Sequence, residues 1–490
     1  MKRTILKKLT ACLCLCAVLS GALSVPVGAA SFQDVPSNHW AADAIDRCAA
    51  QGWFQGKTAD TFGVGQPMTR AGFAVALSRF FGWQSSETYY QIFSDVPQGA
   101  WYEPALRACY EHGAVTRQTS DFRPGEPITR EELAVMLIRA LGYGPIAGLA
   151  ESDTLPFQDV STSKGHIVMA YELGLVSGTK NKLFVPNRYA TREQAAIILS
   201  RLYDKLHPAQ TANEAMVLLR SGEEAEDLSG YQTIVLMEGN LAGGQKTRLT
   251  LNSSHTQEQI KETAKDSGQT VLLGISGQSG VLKSTTAAAT AVAEALTDSS
   301  YDGVYLSITP SAENSDALAA FVQALRAAVP EKKLYVAASA PSRGEMIPDY
   351  QALGKAADRI VLQVAGYEDT DSAVPVYAME PLETVYYALS ALNDQIPGEK
   401  LALLLTAEGR GRKSTGKPTA VNGDAVAALE AQGHAYYSDR YACAYLETKD
   451  TVVWYLNEKA LEARQQLLRC FGVSSYCLTT PNGTLQAQES

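Results

Sequence analysis

Apolar positions follow two different rhythms along the chain. Between residues 31 and 206 they recur at helical spacing in short paired segments, and the pairing itself repeats about every 60 residues. Each unit opens alike, with Phe32-Gln33-Asp34-Val35, Phe93-Ser94-Asp95-Val96 and Phe157-Gln158-Asp159-Val160. An amphipathic helix is predicted after each opening, over 41–50, 103–111 and 167–173, ending near Gly52, Gly113 and Gly174 as a helix C-cap would. A loop follows: Phe62-Gly63-Val64-Gly65, Phe122-Arg123-Pro124-Gly125 and Phe184-Val185-Pro186-Asn187. Each unit then closes with a second helix opened by Thr69-Arg70, Thr129-Arg130 or Thr191-Arg192. The threonine hydroxyls are expected to cap those helices, with Glu132 and Gln194 at capping-box spacing and Gly72 lacking the reciprocal bond. A lone helix–loop–helix cannot bury its apolar face, whereas three together can. The pattern predicts an all-α bundle of three repeats at 31–88, 89–148 and 153–206.

A polar, non-periodic stretch over 204–213 follows, and its 207–213 portion reads as a linker. Beyond it, runs rich in Val, Ile and Leu alternate with helical segments. Strands are predicted at 215–220, 232–238, 270–275, 303–308, 333–338, 359–364, 401–406 and 473–478. Helices are predicted at 256–266, 285–297, 314–328, 381–393 and 457–471. Near-continuous apolar strands separated by helices indicate a parallel sheet buried on both faces. About eight such units predict a (β/α)8 barrel over 214–490, with an open doubly wound sheet as the alternative. Gly274-Ile275-Ser276-Gly277 is a weak phosphate signal and lends that alternative little.

The first 30 residues have the grammar of a signal peptide: Lys2, Arg3, Lys7 and Lys8, an apolar stretch over 9–25, and small residues at Val27-Gly28-Ala29-Ala30. A retained membrane anchor is the competing reading, disfavoured because the apolar core is short and interrupted by Ser and Gly. Leu9-Thr10-Ala11-Cys12 resembles a lipoprotein box but has no apolar core before it. No other run is long enough to span a bilayer. Without the four basic residues of that segment, 38 basic face 52 acidic residues, net −14, which argues against nucleic acid or anionic lipid as partners. Cys48, Cys109, Cys443, Cys470 and Cys477 show no metal-ligand spacing, and buried free thiols are expected for most of them. No metal or cofactor is expected. Asn482-Gly483-Thr484 matches a glycosylation acceptor by letter alone.

The linked motifs of the first half resemble the S-layer homology (SLH) family over about 31–206. The resemblance implies a three-pronged helical assembly, exported to the cell wall or S-layer, that binds secondary cell-wall polysaccharide in grooves between units. Arg70, Arg130 and Arg192 correspond to the groove arginine, and a guanidinium fork suits a carboxylate or ketal oxygens. Trp40 and Trp101 correspond to an aromatic that could stack on a sugar. Repeat three has Gly165-His166-Ile167 and no tryptophan there. Asp34, Asp95 and Asp159 are open to two readings, ligand contact or a local turn or cap.

The second half resembles the glycoside hydrolase family 18 barrel in Val271-Leu272-Leu273-Gly274-Ile275-Ser276-Gly277, Tyr301-Asp302-Gly303-Val304-Tyr305-Leu306-Ser307-Ile308-Thr309, Asp358-Arg359-Ile360-Val361-Leu362-Gln363 and Val453-Trp454-Tyr455. In the resemblance Thr309 stands where the family has its catalytic Glu, Tyr305 and Ser307 stand at the two inner aspartates, and Asp302 alone is retained. A threonine hydroxyl cannot protonate a leaving oxygen near neutral pH. Glu238, Glu368, Asp369 and Glu408 follow or end predicted strands and are candidates for a relocated acid, although solvated loop carboxylates are the commoner outcome. Three readings compete: an inactive barrel binding glycan, such as peptidoglycan, or protein; an active wall or chitin-type hydrolase with a relocated acid; and a plain spacer.

Overall fold

The computed structural model describes residues 32–480 except 149, 151–154, 209–213, 225–226, 244–246, 298, 312–314, 343–348, 369–374 and 414–416. The signal segment, most of the expected linker, Asp369 and Asn482-Gly483-Thr484 lie outside the described residues. The chain falls into two compact units: one takes residues up to 141 with 156–161 and 176–201, the other 142–155, 162–175 and everything from 202.

The helices before the first strand are α1 (Ala42–Ala50), α2 (Arg70–Phe81), α3 (Glu103–Glu111), α4 (Arg130–Ala140), α5 (Gly144–Ala147), α6 (Lys164–Glu172) and α7 (Arg192–Leu206). In the first unit Thr69 caps α2 by accepting from the Gly72 N–H, and Thr129 with Glu132 forms a full capping box on α4. At α7 only the return bond forms, Gln194 accepting from the Thr191 N–H, and the buried Thr191 hydroxyl has no partner, so the expected cap is half present.

The three segments that lead into α2, α4 and α7 bond to one another in a ring. The Met68 N–H donates to the Ala190 carbonyl, Ile128 to Met68, and Ala190 to Ile128, at 2.8, 2.8 and 2.9 Å. Short β-bridges, Pro67 with Thr191, Thr69 with Pro127 and Thr129 with Tyr189, lie at the same place, so this helical unit is joined at its centre by extended backbone. Each bond links residues some 60 or more apart in sequence, which closes the repeats on themselves. Phe62, Phe122 and Phe184 are buried beneath their loops. The residue after each phenylalanine is left-handed: Gly63 at φ 92°, Arg123 at 59° and Val185 at 57°. Glycine adopts this freely, whereas a β-branched valine is strained.

The second unit is a barrel with α5, α6 and the end of α7 grouped against it. Its elements are β1 (Glu214–Arg220), β2 (Thr233–Ala242), β3 (Arg248–Leu251), α8 (His255–Asp266), β4 (Thr270–Gly277), α9 (Thr285–Thr297), β5 (Gly303–Ile308), α10 (Ser315–Ala328), β6 (Lys333–Ser339), α11 (Tyr350–Ala356), β7 (Arg359–Gln363), α12 (Leu382–Leu392), β8 (Leu401–Leu405), β9 (Gly409–Lys413), β10 (Thr419–Val421), α13 (Gly423–Glu430), β11 (His434–Ser438), β12 (Cys443–Glu447), β13 (Thr451–Tyr455), α14 (Glu458–Cys470) and β14 (Ser475–Leu478). Strands run β1-β14-β8-β7-β6-β5-β4-β2 in parallel, and β1 pairs with β2 to close the circle. Neighbours in space follow chain order without a reversal, which excludes the doubly wound alternative. Each of the eight predicted strands is one of these eight, with ends differing by a few residues.

One interior layer is built from Met216, Val235, Leu272, Tyr305, Tyr335, Ala337, Val361, Ala402 and Cys477, drawn from all eight strands. At the N-terminal ends of the strands Glu214 pairs with Arg359 at 2.6 Å and accepts from the Tyr335 hydroxyl at 3.0 Å. Between β8 and α14 the chain inserts an antiparallel sheet of order β10-β9-β13-β12-β11 with α13, which the apolar pattern does not reveal. Its strands include Gly409-Arg410-Gly411-Arg412-Lys413, a half-solvated segment with no apolar run to read.

The loop strain is measurable. Val185→Gly is expected to raise the stability of the first unit by about 0.5–1 kcal/mol, and Gly63→Val to lower it by about 1–2 kcal/mol, in thermal or denaturant unfolding. Equal effects of the two would refute the strain.

Candidate functional site

The ring of the first unit places every residue singled out in the repeats. Asp34 accepts from the N–H groups of Phe62, Gly63 and Val64 at 2.7, 2.7 and 3.0 Å. Asp95 accepts from Phe122 and Arg123 at 2.8 and 2.6 Å, and Asp159 from Phe184 and Val185 at 2.8 and 2.7 Å. The aspartates thus hold the left-handed loops in place. Burial pushes the Asp34 carboxyl up, but its backbone donors together outweigh this and hold it below the ordinary carboxylate range; Asp159 behaves likewise.

Each arginine reaches over the loop of the next repeat. Arg70 Nε donates to the Phe122 carbonyl at 2.8 Å, Arg130 Nε to Phe184 at 2.8 Å, and Arg192 Nε to Phe62 at 2.9 Å. The guanidiniums also lie over those rings, 4.8, 4.6 and 4.9 Å from the centroids. Arg130 and Arg192 also bond the carbonyls of Ser177 and Gln55, both at 2.7 Å, and Arg192 donates as well to the Met68 sulfur at 3.9 Å. Arg70 instead pairs with Glu132 at 2.6 Å, and Glu132 also meets Arg123 at 2.9 Å. Among the described residues no carboxylate pairs with Arg130 or Arg192. Burial lowers the pKa of all three guanidiniums, and near Arg130 the charge of Arg188 adds to this. Carboxylate charges oppose this at every site, Glu132 at Arg70, Asp159 at Arg130, and Asp34 with Glu193 at Arg192, so the sites differ in which one closes an ion pair, a difference invisible in the shared Thr-Arg motif.

Trp40 and Trp101 are 63% and 70% exposed, which leaves their faces open. In repeat three the exposed Tyr189 and Arg188 lie on the segment that bridges Thr129, a feature the repeat pattern did not flag.

In the barrel Asp302 lies at the N-terminal end of β5 and accepts from the Val271 N–H at 2.8 Å, away from the end where barrel chemistry occurs. Strand alternation puts Tyr305 inside, fully buried, with Ser307 half-buried above it and Thr309 exposed just past the strand. Glu238 is buried, accepting from the Tyr301 hydroxyl at 2.5 Å and the Ser253 hydroxyl at 3.1 Å, so it is not a solvated loop acid. Glu368 pairs with Arg410 at 2.8 Å and Glu408 with Arg220 at 3.5 Å.

A cavity of about 310 Å³ lies at the C-terminal ends of β7 and β8, lined by Val364, Met379, Glu380, Thr406, Glu408 and Arg410 among others. Glu380 was not singled out from the sequence. It is buried, and burial raises its carboxyl above the ordinary range while the Thr406 hydroxyl and N–H, at 2.7 and 3.3 Å, and the charge of Arg464 offset this in part. Its backbone is left-handed, φ 37°, just before Pro381. Fully buried Arg464 of α14 donates to the carbonyls of Met379, Glu380, Ala442 and Ala460, pinning that turn. The signal in the sequence was a lone acid between apolar residues, Tyr377-Ala378-Met379-Glu380-Pro381-Leu382.

All five cysteines of the described residues are buried and unbridged. Among the described residues no group of His, Cys, Asp and Glu is placed to hold a metal ion, and no helix is long and apolar enough to cross a membrane.

A depressed carboxyl contributes stability that is complete above its ordinary pKa and is lost as pH falls through the lowered one. The first unit is therefore expected to lose stability below about pH 4. Asp34→Asn is expected to cost about 1–3 kcal/mol at pH 7 and to flatten that acid limb in a pH series of unfolding curves.

The S-layer homology domain family matches residues 31–74, 92–134 and 156–196. An amylopullulanase of Thermoanaerobacterium thermosulfurigenes is 33% identical over 181 residues, 36% of this chain and 10% of its own length. An S-layer protein of Bacillus thuringiensis subsp. finitimus is 29% identical over 202 residues, 40% of this chain and 24% of its own. The chain thus spans a quarter or less of the length of either relative. Among solved structures, a spore cortex-lytic enzyme of Bacillus megaterium aligns with TM-score 0.48 at 12% identity, over 56% of this chain and 72% of its own. A chitinase of Chromobacterium violaceum gives 0.48 at 16%, over 56% and 96%. The barrel assignment rests on the closed order of its strands, not on these likenesses. Three S-layer homology domains precede a closed parallel barrel in this chain, and with them it is a secreted cell-surface protein.

Proposed function

We propose that the chain is exported by a signal over 1–30 and held non-covalently to secondary cell-wall polysaccharide by an all-α three-repeat bundle over 31–206. On the wall it displays a barrel over 214–490 that binds glycan, such as peptidoglycan, or protein. The observation that carries the anchoring is the arginine repeated at three equivalent places, each partly buried over the next repeat's phenylalanine; Arg70 closes an ion pair with Glu132, whereas Arg130 and Arg192 feel the charges of Asp159 and of Asp34 with Glu193 without closing one among the described residues. A guanidinium in that state favours an anionic sugar substituent. Arg70 is the one of the three held in an ion pair, with Glu132, which it shares with Arg123. Asp34, Asp95 and Asp159 then act by shaping the loops, and Trp40 and Trp101 offer faces for sugar rings.

The full chain is expected to sediment with purified walls and to stay in solution when the polysaccharide is stripped. Arg130→Ala with Arg192→Ala is expected to weaken binding at least about tenfold. Because both arginines also bond backbone, Trp40→Ala with Trp101→Ala is the companion variant, since both rings are exposed and their loss leaves the fold intact. Undiminished binding by both double variants would sink the groove assignment.

With Thr309 at the position of the family acid, no family-18 hydrolysis is expected. A second reading, a hydrolase with a relocated acid, is favoured by the buried carboxyl of Glu380. Dye-release and muropeptide assays on the full chain separate the two. No turnover is expected, and turnover abolished by Glu380→Gln would establish the second.

A further inference from the structure

Charge is not shared evenly among the loops that bear Phe62, Phe122 and Phe184. The loop over 55–67 balances Lys57 against Asp60. The loop over 115–127 balances Arg117 and Arg123 against Asp121 and Glu126. The loop over 177–189 carries Lys180, Lys182 and Arg188 and no acid. Counted from the phenylalanine, these three stand where the other loops have Thr58 and Gln118, Asp60 and Ser120, and Gln66 and Glu126. The repeated motifs therefore do not account for them. All three are exposed, and among the described residues their side chains close no hydrogen bond or ion pair.

The fold gathers this cluster around Arg130. Its guanidinium bonds the carbonyls of Ser177 and Phe184, which bracket the turn that carries both lysines. That turn is closed by the Thr179 N–H on the Leu183 carbonyl at 2.8 Å and the Lys182 N–H on the Thr179 carbonyl at 3.1 Å. The Arg130 N–H donates to the carbonyl of Arg188 at 2.9 Å, whereas Arg70 and Arg192 meet Glu126 and Gln66 at the equivalent point. After burial, the like charge of Arg188 is the largest influence on the Arg130 guanidinium, ahead of the opposing Asp159. The Asp159 oxygens are engaged by the N–H groups of Phe184 and Val185. Like charges held close without partners repel one another, and an arriving anion relieves that repulsion.

We infer that the loop over 177–189, together with Arg130, is a contact site for a polyanion whose charges recur along its chain. A single anionic substituent cannot meet Arg130, Lys180, Lys182 and Arg188 at once, whereas a strand charged on successive units can. The cluster is confined to one loop, which a polymer strand can follow, while the chain as a whole is acidic, with 42 basic and 52 acidic residues. Exposed charges are screened by salt, so the contact is salt-sensitive. The inference rests on the reading that the repeats bind an anionic wall polymer. It adds which repeat makes the charge contact, through residues outside the shared Thr-Arg pair, and the charge pattern that the contact reads.

Calorimetric titration of the full chain with polygalacturonate, its neutral methyl ester and inorganic polyphosphate tests it. At least one of the charged polymers is expected to bind saturably, and the ester is not. Preference for the first assigns the contact to carboxylates, and preference for polyphosphate assigns it to phosphates. Lys180→Gln with Lys182→Gln and Arg188→Gln is expected to weaken binding at least about tenfold. Lys57→Gln with Arg117→Gln, exposed cations of the other two loops, is expected to stay within about threefold. Raising salt from about 0.05 to 0.5 M is expected to weaken the wild type by about tenfold and the triple variant by much less. If neither polyanion binds, if the triple variant binds as tightly as the wild type, or if the control pair costs as much, the inference is overturned. So is it if only phosphatidylglycerol vesicles bind, which would assign the cluster to a lipid surface. In each of those cases sedimentation of the wild-type chain with walls leaves the anchoring standing. Failure to sediment with walls, with polyanion binding lost in the triple variant, would sink the anchoring and keep the site.

Discussion

The guanidinium that each repeat lodges on the next repeat's phenylalanine is the contact on which the first unit depends. Arg70 on Phe122, Arg130 on Phe184 and Arg192 on Phe62 form a directed circle, and the last of these ties the end of the unit to its beginning. The backbone relay through Met68, Ile128 and Ala190 runs the same way round. Neither makes sense in a single repeat, because each donor and its acceptor belong to different repeats. The ring is therefore the smallest complete arrangement, and three is the number that closes it.

That circle also bears on the proposed anchoring. A guanidinium already bonded to a carbonyl and resting on a ring is desolvated and oriented before any ligand arrives, so little ordering remains to be done on binding. The aspartates bring the loops to the arginines at the expense of a left-handed Arg123 and Val185. On the proposed anchoring, structural and recognition roles coincide in the same side chains, and Glu132, serving at once as helix cap and ion partner of Arg70, makes one of the three sites different from the others.

The barrel repeats the device in a different setting. Buried Arg464 donates to backbone carbonyls and pins two left-handed residues, Glu380 and Ala442, one on the loop after β7 and one in the inserted sheet. Such strain persists only where the surroundings over-determine it. Here it holds a carboxyl inside a cavity at the end of the barrel where substrates and ligands ordinarily sit. The interior beneath is closed by Tyr305 and Tyr335 and by the Glu214–Arg359 pair.

Periodicity alone determined the three repeats, the helices that open with Thr69, Thr129 and Thr191, and all eight barrel strands, because burial on both faces or on one helical stripe writes itself directly into the order of residues. The inserted sheet escaped, since Gly409 to Lys413 and His434 to Ser438 are half-solvated and carry no apolar run. Glu380 escaped because its meaning lies in burial against Arg464 and Thr406, partners 84 and 26 residues away. Likewise the motif Thr-Arg marked three equal arginines, but only the folded ring decided that Arg70 closes an ion pair with Glu132 while, among the described residues, Arg130 and Arg192 close none. Local spacing encodes which element a residue joins; the charge and solvent around it are set by residues distant in sequence, which tertiary packing brings to its side.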